Sequence, residues 1–227
     1  MIWALTANFL KNNFMQKTTR DSAKNIGAKI HTIKIIAGKF RGKILNATIL
    51  PHTRPTKAIV RESVFNTIAP FLRGKIFVEC FAGYGSMGFE ALSRGAEKVI
   101  FLEKDVQSFG ILQKNIALFG GVLGDSQGKI MSQNVDCFSV LGDLLENGDI
   151  FYFDPPFGEN GEFYTKIFML LDLVNSLNLP QNTPNLNSKM LIFEHISSFI
   201  MPKFIANLPH QKCKKFGKTS ISYYFMA

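Results

Sequence analysis

Ile76-Phe77-Val78-Glu79-Cys80-Phe81-Ala82-Gly83-Tyr84-Gly85-Ser86-Met87-Gly88 is an apolar strand that breaks into a Gly-x-Gly-x-x-Gly turn and then enters a helical pattern running through Arg94. Glycines at such a turn let the chain bend tightly and let its backbone approach a ligand. Alone, the turn is a weak signal, because many α/β proteins carry glycines there. Its surroundings sharpen it. A second strand over residues 98–103 ends in Glu103, twenty residues after Gly83. A carboxylate at that place can accept both hydroxyls of an adenosine ribose.

Working outward, the text alternates strand and helix. Helix 106–119 is followed by a glycine-rich loop 120–128, strand 130–135, a short helix 140–146 and strand 150–154. An amphipathic helix 163–177, an Asn/Pro-rich loop 178–188 and strand 190–194 come next, then a short helix over 199–207 and strands 212–216 and 220–225. Short, near-continuous apolar strands alternating with helices predict a Rossmann-like α/β fold, a mostly parallel sheet with helices on both faces. Upstream, Pro55 opens a helix that Gly74 ends. Before it, β-rich runs around Gly38 and Gly42 predict a small hairpin, 32–52, presenting Lys39, Phe40, Arg41 and Lys43. Residues 1–31 show no firm periodicity and are expected to be an extension. The main domain is expected over 53–227.

Fragment 22–61 holds nine basic residues and no acid, and the chain after Glu194 holds five lysines and no acid. The stretch between has nine basic residues against sixteen acidic ones, within a formal net charge of +9. Basic ends around an acidic middle suit a polyanion such as nucleic acid, although a solvated basic surface gives the same count. In the nucleic-acid reading, Lys39, Arg41 and Lys43 contact phosphates, together with Arg54 and Arg61 of the same block. Phe40 either stacks on a base or packs against the domain.

Two cofactor classes use the glycine-turn geometry, nicotinamide dinucleotides and S-adenosylmethionine. Glu79, just before the turn, would repel a pyrophosphate and would favour the sulfonium and amino groups of S-adenosylmethionine. Asp136 could serve the adenine amino group or cap the helix after it. Glu90, one turn into its helix, is expected on a solvated face.

Phe151-Tyr152-Phe153-Asp154-Pro155-Pro156-Phe157 is the most specific text. It stands at a strand's carboxyl end, where open α/β sheets bind ligands. Two prolines hold the backbone extended and remove N–H donors, leaving carbonyls free to accept. Asp154 beside a proline carbonyl forms a two-acceptor clamp matched to the two N–H bonds of an exocyclic base amine. Phe157 offers a stacking face worth about 1–3 kcal/mol to a base that has been flipped out. Holding both N–H bonds from one side aims the amine's lone pair at a sulfonium methyl.

With these residues in hand, the sequence resembles S-adenosylmethionine-dependent amino-methyltransferases and, more narrowly, the bacterial 16S rRNA guanine-N2 methyltransferase family of RsmD type. The resemblance starts near Ile33 and rests on Ile35-Ile36-Ala37-Gly38-Lys39-Phe40-Arg41-Gly42, Thr53-Arg54-Pro55-Thr56, Arg61-Glu62, Phe65-Asn66, the run from Phe81 to Gly85, Glu90-Ala91-Leu92-Ser93-Arg94-Gly95-Ala96, Glu103-Lys104-Asp105 and Asp154-Pro155-Pro156-Phe157. It implies a seven-stranded methyltransferase sheet preceded by an RNA-contacting hairpin. It implies S-adenosylmethionine held by Phe81, Ala82, Gly83, Gly85, Glu103 and Lys104, and guanine N2 presented at Asp154–Phe157 in ribosomal RNA, within the small subunit or its assembly intermediate. Tyr84, Ser86 and Met87 depart from the family's usual loop, and Glu79 replaces a more frequent aspartate.

Rival readings are a DNA adenine-N6 or cytosine-N4 methyltransferase and a non-catalytic RNA-binding protein. The short hairpin leaves little room for a DNA-reading domain, and intact glycines and Asp154 speak against a dead site. A nicotinamide dehydrogenase is disfavoured by Glu79 and by the absence of a catalytic pattern around His31, His52, His195 and His210. No apolar run approaches the roughly 20 residues a bilayer needs. Cys80, Cys137 and Cys213 lie far apart, so they are expected as reduced buried thiols in a cytoplasmic protein with no metal.

Overall fold

The computed structural model describes residues 30–48, 58–123, 129–156, 161–176 and 186–226. Most of the 1–31 extension, Arg54 and Phe157 lie outside these residues. Strands β1 (Ile30–Lys34) and β2 (Ile44–Thr48) pair antiparallel as a separate hairpin. Helix α1 (Ala58–Leu72) leads into β3 (Ile76–Glu79), α2 (Ser86–Ser93), β4 (Lys98–Leu102), α3 (Val106–Leu123) and β5 (Ile130–Gln133). Then come α4 (Leu141–Asn147), β6 (Ile150–Phe153), α5 (Glu162–Ser176), β7 (Met190–Ile196), β8 (Phe204–Ile205), β9 (Leu208–Phe216) and β10 (Thr219–Tyr224).

The sheet order is β5-β4-β3-β6-β7-β10-β9-β8, parallel from β5 to β7 and antiparallel beyond. Every residue of β6 is buried, as a central parallel strand covered on both faces requires. One core, with Phe65, Phe77, Phe89 and Phe101, lies under α1, α2, α3 and the hairpin. The other, with Phe151, Phe153, Phe193 and Ile167, lies under α4 and α5. All parallel strands therefore point their carboxyl ends at one edge, which carries both the glycine turn and Asp154.

Three expectations are corrected. The sheet has an eighth strand, β8, in place of the helix expected over 199–207. Ala206 and Asn207 both take positive φ (50° and 68°), the geometry of a two-residue hairpin turn, and Asp172 Oδ1 accepts the Ala206 N–H at 2.8 Å. Helix α3 continues past Phe119 through Gly120 and Gly121, whose intrinsic cost of about 1 kcal/mol each does not end it. Cys213 is exposed on β9, whereas Cys80 and Cys137 are buried.

Candidate active site

The glycine turn is shaped by close packing. Gly85 has φ +84°, and a Cβ there would lie 2.7 Å from Leu112 Cδ1 and 2.8 Å from Phe89 Cε2. Asn115, fully buried on α3, fixes the turn from behind. Its Nδ2 donates to Tyr84 O (3.0 Å) and Asn46 O (2.9 Å), and its Oδ1 accepts the Asn46 N–H (2.8 Å). Glu79 is tied to the helix that follows the turn. Its two oxygens accept the Met87 and Gly88 N–H groups (3.2 and 2.8 Å), so it caps α2 from beneath the turn. Unpaired N–H groups at a helix start attract a carboxylate. Burial nevertheless pushes the Glu79 carboxyl up to about 8, against those hydrogen bonds.

Glu103 directly follows β4 and is half-buried, accepting N–H groups from Gly83 (2.6 Å) and Asp105 (2.7 Å). A carboxylate has about four lone-pair sites, so acceptor capacity remains for a pair of hydroxyls. Burial raises its pKa as well. For Asp136 the structure shows the cap: Oδ1 accepts the Phe138 N–H at 3.2 Å, and Oδ2 pairs with the exposed Lys104 at 2.8 Å. Phe81, Phe138 and Phe163, all half-buried, form a three-ring wall with centroids 6.3–6.4 Å apart.

Asp154 follows β6 directly and is half-buried, with Pro155 buried and Pro156 exposed. In register, Phe153 of β6 faces Phe193 of β7, so Asp154 and Glu194 stand level on neighbouring strands. Tyr152 Oη donates to Glu194 Oε2 at 2.5 Å, and Tyr164 Oη donates to the Glu194 carbonyl at 3.1 Å. Loss of hydration, then the charges of Glu194 and Glu79, hold the Asp154 carboxyl well above the ordinary aspartate range. Glu194, Tyr152 and Tyr164 were not singled out from sequence. The signal was a parallel: Phe151-Tyr152-Phe153-Asp154 and Leu191-Ile192-Phe193-Glu194 are both apolar strands ending in an acid.

The basic residues divide. Phe40 is buried edge-on against Phe119 (5.1 Å), which removes it from base stacking. Arg61 is 2% exposed, donates to Lys34 O at 2.9 Å and lies 3.6 Å from Glu90, so it is a clamp and not a phosphate contact. Glu90, expected in solvent, is wholly buried. It accepts the Ile36 and Ala37 N–H groups (2.8 and 3.0 Å) and pairs with Arg94 at 2.8 Å. A buried arginine needs a carboxylate, and the hairpin's buried N–H groups need acceptors; one glutamate meets both demands. Lys43 is half-buried, its Nζ donating to Leu118 O (2.5 Å) and sitting 4.3 Å over the Phe119 ring. Lys39 and Arg41 are exposed. Among the described residues there is no cluster able to hold a metal ion, and no helix is long and apolar enough to cross a membrane.

A parallel sheet with an antiparallel closing pair, a glycine turn after β3, an acid after β4 and Asp-Pro-Pro after β6 define the Rossmann-like fold of the S-adenosylmethionine-dependent methyltransferases. The chain belongs to the family described as Conserved hypothetical protein 95, the RsmD family, whose model matches residues 33–225. It is 36% identical over 128 residues to the ribosomal RNA small subunit methyltransferase D of Haemophilus influenzae, covering 56% of this chain and 65% of that protein, just under two thirds of the relative's length. It is 26% identical over 193 residues to YlbH of Bacillus subtilis, provisionally named an rRNA methyltransferase, covering 85% of this chain and 98% of that one. The solved structure of yhhF from Escherichia coli, provisionally named a methyltransferase, superposes with a TM-score of 0.65 at 26% identity, covering 86% of this chain and 97% of that chain.

Proposed function

We propose that this chain methylates the exocyclic N2 amine of a guanine in the 16S ribosomal RNA of the small subunit, using S-adenosylmethionine. The observation that carries the reading is the placement of Asp154 at the carboxyl end of β6, on the same edge as the glycine turn and Glu103. Family membership and the relatives' names support ribosomal RNA as the substrate; the choice of guanine N2 follows the family resemblance of the Asp-Pro-Pro-Phe stretch.

The residues present fit the cofactor. Glu103 keeps acceptor capacity for a ribose diol after holding the Gly83 N–H, and Phe81, two residues before Gly83, belongs to a three-phenylalanine wall that offers apolar surface. Bound there, S-adenosylmethionine supplies a methyl group on a sulfonium, ready for attack by a nucleophile. The protein's part is acceptor geometry. Asp154 Oδ and the adjoining proline carbonyl take the two N–H bonds of the amine and aim its lone pair. Methylation leaves the nitrogen with a proton to lose. A carboxyl kept above its ordinary range by burial, and then by Glu194 and Glu79, is a better resting place for that proton than an ordinary aspartate.

The test is Asp154→Ala assayed in single turnover on small-subunit rRNA, with the methylated nucleotide mapped for the unaltered protein. Loss of an orienting base should lower the rate by about 10²–10⁴-fold. Calorimetry should show cofactor affinity within a few-fold. A near-normal rate overturns the role of Asp154, and absence of any rRNA product from the unaltered protein overturns the reading itself.

A further inference from the structure

The edge that carries Asp154 also carries a basic turn that the proposed chemistry does not use. Strand β10 runs antiparallel to β7, with Thr219 opposite Ile196, and β9 runs antiparallel to β10, with Phe216 opposite Thr219. The β9–β10 turn therefore returns to the carboxyl edge of β6 and β7. Glu194 faces Ile221, which faces Lys214, so Lys214 is level with Asp154 while Lys215 and Lys218 lie at or beyond that edge. Three strand spacings separate β9 from β6, about 14 Å at ~4.8 Å each.

The turn is held in place. Ser197, just after β7, donates its N–H to Lys218 O and its hydroxyl to Gly217 O, both at 2.9 Å, and its Oγ lies 2.9 Å from Ser220 Oγ. Lys214 is turned onto α1, its Nζ donating to Thr67 Oγ1 (2.8 Å) and Ser63 Oγ (3.2 Å). Lys212, Lys215 and Lys218 are exposed, and no acid follows Glu194 in the chain. Lysines also guard the open edge of a sheet, and β9 is paired with β8 only through Leu208 and Pro209. That accounts for Lys212 and Lys215 on the strand. It does not account for Lys218 in the turn, nor for the lack of any acid to balance them.

The expected alternative grip is farther off. Gly38 to Gly42 turns beside Ser93, whose carbonyl accepts the Lys39 N–H at 2.7 Å. Ser93 closes α2, seven residues from Ser86 and so about 10 Å down the axis away from the carboxyl edge. A strand whose target base has been flipped into the site must lay its neighbouring phosphates across the carboxyl edge. We propose that the β9–β10 turn grips those phosphates, with Lys215 and Lys218 as contacts and Lys212 extending the surface along β9. This rests on the reading of the protein as an RNA methyltransferase.

The experiment measures binding of transcribed small-subunit rRNA against salt for the unaltered protein, for Lys215→Ala/Lys218→Ala and for Lys39→Ala/Arg41→Ala. Each lost phosphate contact should lower the slope of log affinity against log salt by about 0.7–0.9, so the turn variant should lose about 1.4–1.8. Its S-adenosylmethionine affinity by calorimetry and its melting temperature should stay unchanged. An unchanged slope in the turn variant, or a fall confined to Lys39→Ala/Arg41→Ala, overturns the proposal while leaving the activity standing. An unaltered protein that neither binds nor methylates the rRNA overturns the underlying reading instead.

Discussion

The hairpin and the β9–β10 turn are both basic and both free of acids, yet they put their charge to different use. In the hairpin and the helix α1 that packs on it, Phe40 and Arg61 are buried, Lys43 lies over Phe119, and Glu90 and Ser93 receive the hairpin's N–H groups, while Lys39 and Arg41 stay exposed. In the turn, Lys215 and Lys218 project outward while backbone and serine hydroxyls do the anchoring. Charge counts along a sequence do not separate a clamp from a contact surface. What separates them is whether the cation's partner is a buried carboxylate or solvent.

The largest break in this contrast should come from Arg61→Ala. It leaves Glu90 buried with one cation fewer and frees the Lys34 carbonyl, so urea unfolding should show a loss of about 3–5 kcal/mol, the range for breaking a buried ion pair. Arg94 remains beside Glu90, which places the expectation at the lower end. A loss below about 0.5 kcal/mol, the size of a surface substitution, would show that Arg61 is no clamp.

Gly38→Ala should come next. Gly38 has φ +83°, and a Cβ there would collide with the Ser93 carbonyl. A left-handed non-glycine residue alone costs about 1–3 kcal/mol, and the collision also pushes the hairpin off α2. Thermal melting should fall accordingly. Gly217→Ala in the other turn (φ +67°) meets nothing within 4 Å, so it should show the backbone strain without the collision.

These positions show what could be read beforehand. The placement of the glycine turn, Glu103 and Asp154-Pro155-Pro156 just after strands is legible because apolar runs mark strand ends well. Glu90 and Arg61 were misplaced because a helix of mostly apolar residues gives no sign that its single acid points inward; only the hairpin packed on it creates the need. Strand β8 was missed because two residues have no periodicity. The position of Lys215 and Lys218 at the carboxyl edge of β6 and β7 follows from the antiparallel return of β9 and β10, which no local pattern records.

Strand β7 sharpens the comparison further, since it carries Glu194 beside Asp154 and leads directly into the turn's anchor, Ser197. Asp154 feels the charges of Glu194 and Glu79 and in turn acts on the Tyr152 and Tyr164 hydroxyls, and Glu79 is also coupled to Arg61. The raised pKa of Asp154 means that the ionised form the proposed amine clamp requires accumulates only as pH rises, so the single-turnover rate should climb through an inflection above the ordinary aspartate range. Glu194→Gln removes one negative neighbour, lowers the Asp154 pKa and moves that inflection to lower pH. Glu90→Gln, acting on the hairpin clamp, should weaken stability and leave the inflection where it is. An inflection that moves with Glu90 and not with Glu194 would contradict this geometry.

The smallest effect belongs to Lys43, and it tests the contrast most directly because Lys43 is basic, in the hairpin and only half-buried. If it served RNA, Lys43→Ala would lower the salt slope by about 0.7–0.9 and leave folding alone. The structure assigns its charge elsewhere. Its Nζ sits 4.3 Å over the Phe119 ring and donates to Leu118 O, so β2 is fastened to α3 through a cation–π contact and a helix carbonyl. A contact of that kind near the surface is worth about 0.5–1 kcal/mol. Lys43→Ala should therefore lower stability by about that much in urea unfolding, with no change in salt slope. Lys43→Arg, which keeps a cation over the ring, should recover most of the loss. A Lys43→Ala protein of normal stability with a shallower slope would move Lys43 into the RNA-contact class and erase the distinction between the two basic regions.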